Sequence, residues 1–252
     1  MSELWSSILV GGYPEVATGA QPEAQLWFAS YVQTYLERDV RSIRQIGDLG
    51  QFQSFLTMLA GRSGQLVNYT EIGRDLGVAV NTVRAWISVL EATHQVHVLR
   101  PYHENVNKRL VKTPKVYFTD TGLLCYLVGL RDPEHARRGP MQGSLMETAV
   151  ITEILRALTS RGLEPRLYFW RTSSGEEVDL LVHSGDRMIP IEVKAAGTAS
   201  TTMARGLTAF HAAMAATDRP GRPTIEAGYV IYTGDAMLPL GNGVRALPFS
   251  RL

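Results

Sequence analysis

The sequence predicts an α/β (α+β) chain with a helical and winged-helix first half and a strand-bearing second half. Three observations carry this reading. Apolar residues recur at helical spacing between 22 and 59. Two short helices and two strands follow one another over 66–118. Three strands, joined by short polar turns, are packed into 167–194. Hydrophobic residues are 45% of the 252 and charged residues 19%, enough apolar surface for a core and too much for a disordered chain. The net charge of +1 excludes a global field that would draw the chain to nucleic acid or lipid, so such binding needs local patches.

Taken in order, residues 1–21 form a turn around Gly11-Gly12-Tyr13-Pro14 after a short apolar segment. A helix is expected over 22–46, with Trp27, Tyr31, Tyr35 and Leu36 on one stripe and a charged end at Glu37, Arg38, Asp39 and Arg41. Phe52, Phe55, Leu56 and Leu59 make a second stripe, closed by Gly61-Arg62-Ser63-Gly64. Thr70 is the expected N-cap of a helix over 71–76, and Gly77 its C-terminal glycine. Asn81 is the expected cap of the next helix, whose face is Val83, Trp86, Ile87 and Leu90. Strands at 95–102 and 115–119 complete a winged-helix arrangement. An apolar helix over 120–130 holds the lone cysteine, Cys125, as a buried thiol. A single cysteine excludes an intrachain disulfide and a cysteine-rich zinc site. The polar stretch 131–142, with Pro133, Gly139 and Pro140, marks a boundary, giving segments 1–60, 61–130 and 131–252.

The wing is locally basic. Arg100, Lys108, Arg109, Lys112 and Lys115 stand against one anion, Glu104. Such a patch grips phosphates in a salt-sensitive way. The second helix offers Asn81, Thr82, Arg84 and Ser88, which suit phosphates or base edges. Arg84, Lys108, Arg109 and Lys112 are therefore the candidate DNA contacts. A solvated loop or a protein-docking module is the equal alternative. No stretch is apolar over the roughly 20 residues of a membrane span, and Met-Ser-Glu-Leu-Trp lacks a signal's basic region. A cytoplasmic protein without membrane contact is expected.

In the second half, a helix over 143–161 carries the stripe Ile151, Ile154, Leu155 and Leu158. Glu147 falls on that stripe or, alternatively, in a frayed, hydrated first turn. Strands at 167–172, 177–183 and 188–194 read as an antiparallel meander. Alternation puts Glu177, Asp179 and Leu181 on one face, and Glu192 and Lys194 together on one face of the third strand. Asp179 can lie beside Glu192 when the hairpin pairs. Clustered carboxylates select a hard divalent cation, Mg²⁺ or Mn²⁺, which serves phosphodiester hydrolysis, with Lys194 neutralising charge. Spacing alone favours the plainer alternative: a surface hairpin with solvated acids and a weak Glu192–Lys194 ion pair.

Asp179 followed by Glu192-Val193-Lys194, with the helical Glu147 upstream, resembles the PD-(D/E)XK restriction-endonuclease-like signature. The strings Gly143-Ser144-Leu145-Met146-Glu147, Tyr168-Phe169-Trp170-Arg171-Thr172, Glu177-Val178-Asp179 and Ile191-Glu192-Val193-Lys194 resemble the C-terminal domain, of unknown function, in a group of prokaryotic AAA-type ATPases. Gly11-Gly12-Tyr13-Pro14 and Tyr35-Leu36-Glu37-Arg38-Asp39-Val40 are similar to the segment after that family's ATPase core. No glycine-rich phosphate-binding loop ending in Gly-Lys-Ser/Thr is present, so the chain looks like that family without its motor, and no ATPase activity is expected. The resemblance implies a winged helix joined to a nuclease-like α/β domain with a central mixed sheet and flanking helices. It implies catalytic positions at Glu147, Asp179, Glu192 and Lys194, metal ligation by Asp179, Glu192 and Glu147, and DNA as partner. The alternative is an inactive DNA-binding module, or one that docks a protein partner or a second copy through an apolar surface near Trp5 and Trp27.

Overall fold

A computed structural model of the chain describes residues 2–19, 23–35, 48–102, 110–216 and 221–252. It is an α/β structure of helices and a nine-stranded mixed sheet. The chain divides into two compact units: Met1–Val98 with Lys115–Ala149, and Leu99–Pro114 with Val150–Leu252.

The first unit is mainly helical. Helices α1 (Ser2–Val10), α2 (Pro14–Ala17) and α3 (Ala24–Tyr35) open it. The buried stripe of α3 is Phe28, Val32 and Tyr35, whereas Trp27 and Tyr31 are half-buried and stack on each other 5.1 Å apart. The expected stripe is thus turned by one position. Leu36 and the charged end after it lie outside the described residues. Trp5 is 1% exposed and belongs to the core, while Trp27 is half-buried and its neighbour Leu26 is 63% exposed, so an apolar surface remains only beside Trp27. Helix α4 (Leu49–Ala60) buries Phe52, Phe55, Leu56 and Leu59 as its spacing requires and ends at Gly61.

Helix α5 (Tyr69–Leu76) starts two residues before its expected start. Its cap is Asn68, whose side chain accepts from the Glu71 N–H, and Thr70 sits inside the first turn. Gly77 closes the helix at φ +68°, in the left-handed region where glycine carries no Cβ penalty. Helix α6 (Val80–Ala92) begins one residue ahead of Asn81. Ala79 takes the cap position and has no side-chain acceptor. Its buried face holds Val83, Trp86, Ile87 and Leu90 as expected. Strand β1 (Val96–Pro101) follows, neighbouring β2 (Lys115–Phe118).

Helix α7 (Thr121–Leu127) is capped by Asp120, which is 6% exposed. The Asp120 carboxylate accepts from Leu123 N–H at 2.8 Å and from Gly12 N–H at 2.6 Å. One side chain therefore starts a helix and pins the Gly11-Gly12 turn to it. Cys125 is fully buried, and burial, then the nearby Asp120 charge, pushes its thiol up to about 12. It is an inert core thiol. Helix α8 (Pro133–Arg138) occupies the polar stretch read as a boundary. Helix α9 (Gln142–Thr159) departs from its predicted stripe. Leu145, Met146, Thr148, Ala149, Val150, Ile151 and Thr152 are all buried, while Ile154, Leu155 and Leu158 are half-buried.

In the second unit β3 (Leu167–Arg171), β4 (Glu177–Ser184) and β5 (Arg187–Lys194) form the predicted antiparallel meander. Helix α10 (Arg205–Ala215) then crosses over, and β5 continues into parallel β7 (Tyr229–Tyr232) and β9 (Val244–Pro248). The order is β1–β3–β4–β5–β7–β9–β8, with β8 (Leu238–Gly241) antiparallel at the edge and β6 (Thr224–Ile225) beside β5. One face packs Trp170, Leu181, Met188, Val230 and Tyr232 against Leu207 and Phe210 of α10. Among the described residues, no helix is long and apolar enough to cross a membrane.

Replacing Asp120 by Ala removes an N-cap and strands a main-chain donor. It should cost about 2 kcal/mol, read as a lower urea midpoint with an unchanged slope.

Candidate functional site

The site is built where the β3–β4–β5 meander departs from regularity. Tyr168 stands opposite Leu181, and Trp170 opposite Val178. Two residues of β4, Asp179 and Leu180, therefore face Phe169 alone. This is a β-bulge, and bulges re-aim side chains. It also breaks the expected alternation: Val178 joins Leu181 in the same core cluster. The β4–β5 register runs from Ser184↔Arg187 to Leu180↔Ile191. At the next step the Asp179 carboxylate itself accepts from the Val193 N–H at 2.8 Å. A side chain replaces the ladder bond there and is locked by it.

Glu192 follows Ile191 on β5, between α10 and the sheet. It is 4% exposed, and Asp179 is 9% exposed. Gly206, in the first turn of α10, lets the helix approach so closely that a Cβ there would collide with Glu192 Oε1 and with the Glu177 carbonyl oxygen. Lys194 Nζ donates to Glu192 Oε2 at 2.6 Å and lies 3.7 Å from Asp179 Oδ2. The ammonium bridges the two acids, and its side chain stays 36% exposed. The solvated surface hairpin favoured by spacing alone is therefore not what forms. The acids are core groups.

Burial first, and the Asp179 charge second, push the Glu192 carboxyl up to about 8, while Lys194 pulls it back. Two buried carboxylates next to each other resist double ionisation unless cations compensate them. Their hard oxygens fit a divalent ion of the Mg²⁺ kind, which commonly takes one or two protein carboxylates and fills its shell with water and phosphate oxygens. Among the described residues no three His, Cys, Asp or Glu side chains gather as a metal-binding group.

Glu147 belongs to the first unit, on α9. Its carboxylate accepts from Tyr117 Oη at 2.8 Å and faces Lys115 Nζ at 3.7 Å. Ser63 and Thr148 share a buried hydroxyl contact in the same unit. Lys115 is 4% exposed, so this member of the basic wing is a core cation with a carboxylate partner. Of the candidate DNA contacts, Arg84 is exposed and sits 4.3 Å from the Tyr69 ring centroid, a cation–π contact. Lys112 is exposed, and Lys108 and Arg109 lie outside the described residues. The structure thus brings Asp179, Glu192 and Lys194 together. Sequence reasoning missed Gly206, because a glycine opening a helix carries no signal until its neighbour is known.

Comparison with known proteins places these elements in context. The family described as "Domain of unknown function (DUF8612)" matches residues 1–134, more than half of the sequence. The chain belongs to the DUF8612 family. In this DUF8612 chain, residues 142–252, which hold the Asp179–Glu192–Lys194 group, match a second family, "Domain of unknown function (DUF4143)". Relatives include "Uncharacterized protein Rv2008c" of Mycobacterium tuberculosis and "Uncharacterized protein Mb2031c" of Mycobacterium bovis. Each is 31% identical over 252 residues, covering 99% of this chain and 53% of the relative. The chain spans about half the length of the curated relatives it matches. No solved structure matches.

Two outcomes test this geometry. The folded-state carboxyl of Glu192 titrates near 8, above its ordinary 4.5. Its contribution to stability is full below about 4.5 and is lost as pH rises toward about 8, because the unfolded chain releases that proton first. Glu192→Gln has no such proton, so its melting temperature should fall less than wild type's between about pH 5 and about pH 9. Parallel pH profiles would refute the burial argument. Gly206→Ala should destabilise by about 2–3 kcal/mol in chemical denaturation, because a backbone oxygen cannot move aside.

Proposed function

We propose that the second unit is a restriction-endonuclease-like domain that hydrolyses phosphodiesters with a divalent metal, and that the first unit contains a DNA-associating winged helix. The observation that carries this is the burial of Asp179 and Glu192 beside each other, with Lys194 bridging them at an exposed edge. A purely structural sheet has little reason to bury two acids. Replacing such a group with apolar residues is often neutral or stabilising. Asp179 and Glu192 would hold Mg²⁺ or Mn²⁺. When bound, that ion supplies an acidified water and charge neutralisation at a phosphoryl oxygen.

The chain's own residues do the rest. The Val193 N–H fixes the Asp179 carboxylate, so its oxygens need no reorganisation. Gly206 and the start of α10 hold Glu192 in a water-poor setting. Lys194 reaches solvent with its ammonium beside both acids, where it can orient water and offset negative charge on a phosphate. By the resemblance Glu147 would assist the metal; within the first unit its carboxylate accepts from Tyr117 and faces Lys115. DNA is the substrate class that the exposed Arg100 and Lys112 of the second unit favour.

One observation favours a second reading. The Lys194 ammonium already closes both acids into an ion-paired group without any further carboxylate. The fold would then serve as an inactive DNA-binding module, or one that docks a protein partner.

The test is incubation of supercoiled, linear and branched DNA with the protein and Mg²⁺ or Mn²⁺. Wild type should nick or cut at least one substrate, and Glu192→Ala or Lys194→Ala should lower the rate about 100-fold. If wild type leaves every substrate intact while salt-sensitive DNA binding survives Asp179→Asn, the second reading replaces the first.

A further inference from the structure

A second feature of the second unit is a cleft of about 540 Å³ lined by Arg100, Pro101, Tyr102, Lys112, Pro114 and Tyr168. Its volume lies in the range of small-ligand sites. Its chemistry is mixed: two cationic side chains, two phenol rings and two prolines. Arg100 and Lys112 are exposed. The Tyr102 and Tyr168 rings meet edge to face, with centroids 5.7 Å apart, and both pack against the core cluster under α10. The rings are thus held in place, while the cations reach outward. Main-chain bonds frame the cleft: Tyr102 N–H donates to the Phe169 carbonyl, and Val111 N–H to the Arg171 carbonyl.

Strand register relates this cleft to the acids. Arg100 pairs with Tyr168, Tyr168 with Leu181, and Leu181 with Pro190. Residues opposite one another share a sheet face, so these four form one row across it. Glu192 and Lys194 lie two and four residues beyond Pro190 on β5, hence on that same face. Tyr168 and Glu192 are therefore two strands apart, about 10 Å, and about 7 Å apart along the strands. One extended chain of phosphates can reach both.

We propose that this cleft binds a nucleotide unit, its base against Tyr102 and Tyr168 and its phosphate between Arg100 and Lys112. Aromatic faces take any base, and the guanidinium and ammonium take the phosphate without reading sequence. The unit comes from an unpaired strand, because a paired base has no free face to offer a half-buried ring. A free mononucleotide shares the same chemistry and is the other source to separate. The purpose of the cleft rests on the nuclease reading above, since it would hold a strand beside Glu192 and Lys194. The binding itself does not need catalysis.

The experiment is fluorescence anisotropy of labelled oligo-dT and oligo-U on the full chain, in EDTA and at moderate salt. Blunt duplex, thymidine monophosphate and inorganic polyphosphate serve as competitors. The oligomers should bind and outcompete duplex and polyphosphate. Tyr168→Ala, and separately Lys112→Gln, should each weaken binding about fivefold to tenfold, while Tyr168→Phe, which keeps the ring, binds like wild type. Competition by thymidine monophosphate as strong as that by the oligomer identifies the free nucleotide as the source; weak competition identifies the strand. Unchanged affinity in both Tyr168→Ala and Lys112→Gln overturns the proposal, as does polyphosphate binding as tightly as the oligomers. Ring-dependent binding in a protein that cuts no DNA with any metal would leave this cleft standing and remove the nuclease reading.

Discussion

Two carboxylates taken out of water beside each other are the constraint around which the second unit is arranged. Asp179 and Glu192 repel, and each loses hydration on burial. Three local departures from regularity make their position tolerable. The bulge in β4 turns Asp179 toward β5. The Val193 N–H, freed where the ladder stops, bonds to its oxygen. Lys194, two residues after Glu192 on the same strand face, brings an ammonium to both. Gly206 then allows α10 to close over Glu192 without displacing it. Remove the Val193 N–H bond or the Lys194 ammonium and an acid is left buried without its partner, which costs more than the contact itself provides.

What the sequence revealed was whatever depends on a repeating interval. The stripe of α4, the face of α6, the glycine stop after α5 and the three-strand meander each follow from spacing or from one residue's backbone freedom. Where the prediction slipped, a non-repeating detail decided. Asn68 outcompetes Thr70 as a cap because its carbonyl reaches the Glu71 N–H two residues earlier in the chain. The α9 stripe widens into a buried stretch over 145–152, interrupted at the half-buried Glu147, which no amphipathic template describes. In the candidate site, the company kept by Glu192 and Lys194 was legible from their interval of two. The burial of the acids was not. It depends on the bulge, on Gly206 and on the α10 crossover, all of which are tertiary.

In the first unit a different acid solves a different problem. Lys115 reads as part of a basic wing, yet it starts β2 at a buried position, where an ammonium needs a counter-charge. Glu147 supplies it, and Tyr117, two residues along β2, adds a hydroxyl to the same carboxylate. Counting cations along a segment overstates its phosphate-gripping power when one of them belongs to the core. Asp120 illustrates the same economy: one carboxylate begins α7 and fastens the Gly12 amide.

The sheet's connectivity also bears on how the chain folds. β3, β4 and β5 are joined by short turns, so their pairing closes small loops at low entropic cost. The parallel partner β7 must wait for the long crossover through α10, a slower closure between residues farther apart. Bringing the two acids together is thus a local closure, whereas dehydrating Glu192 requires the non-local packing of α10 at Gly206.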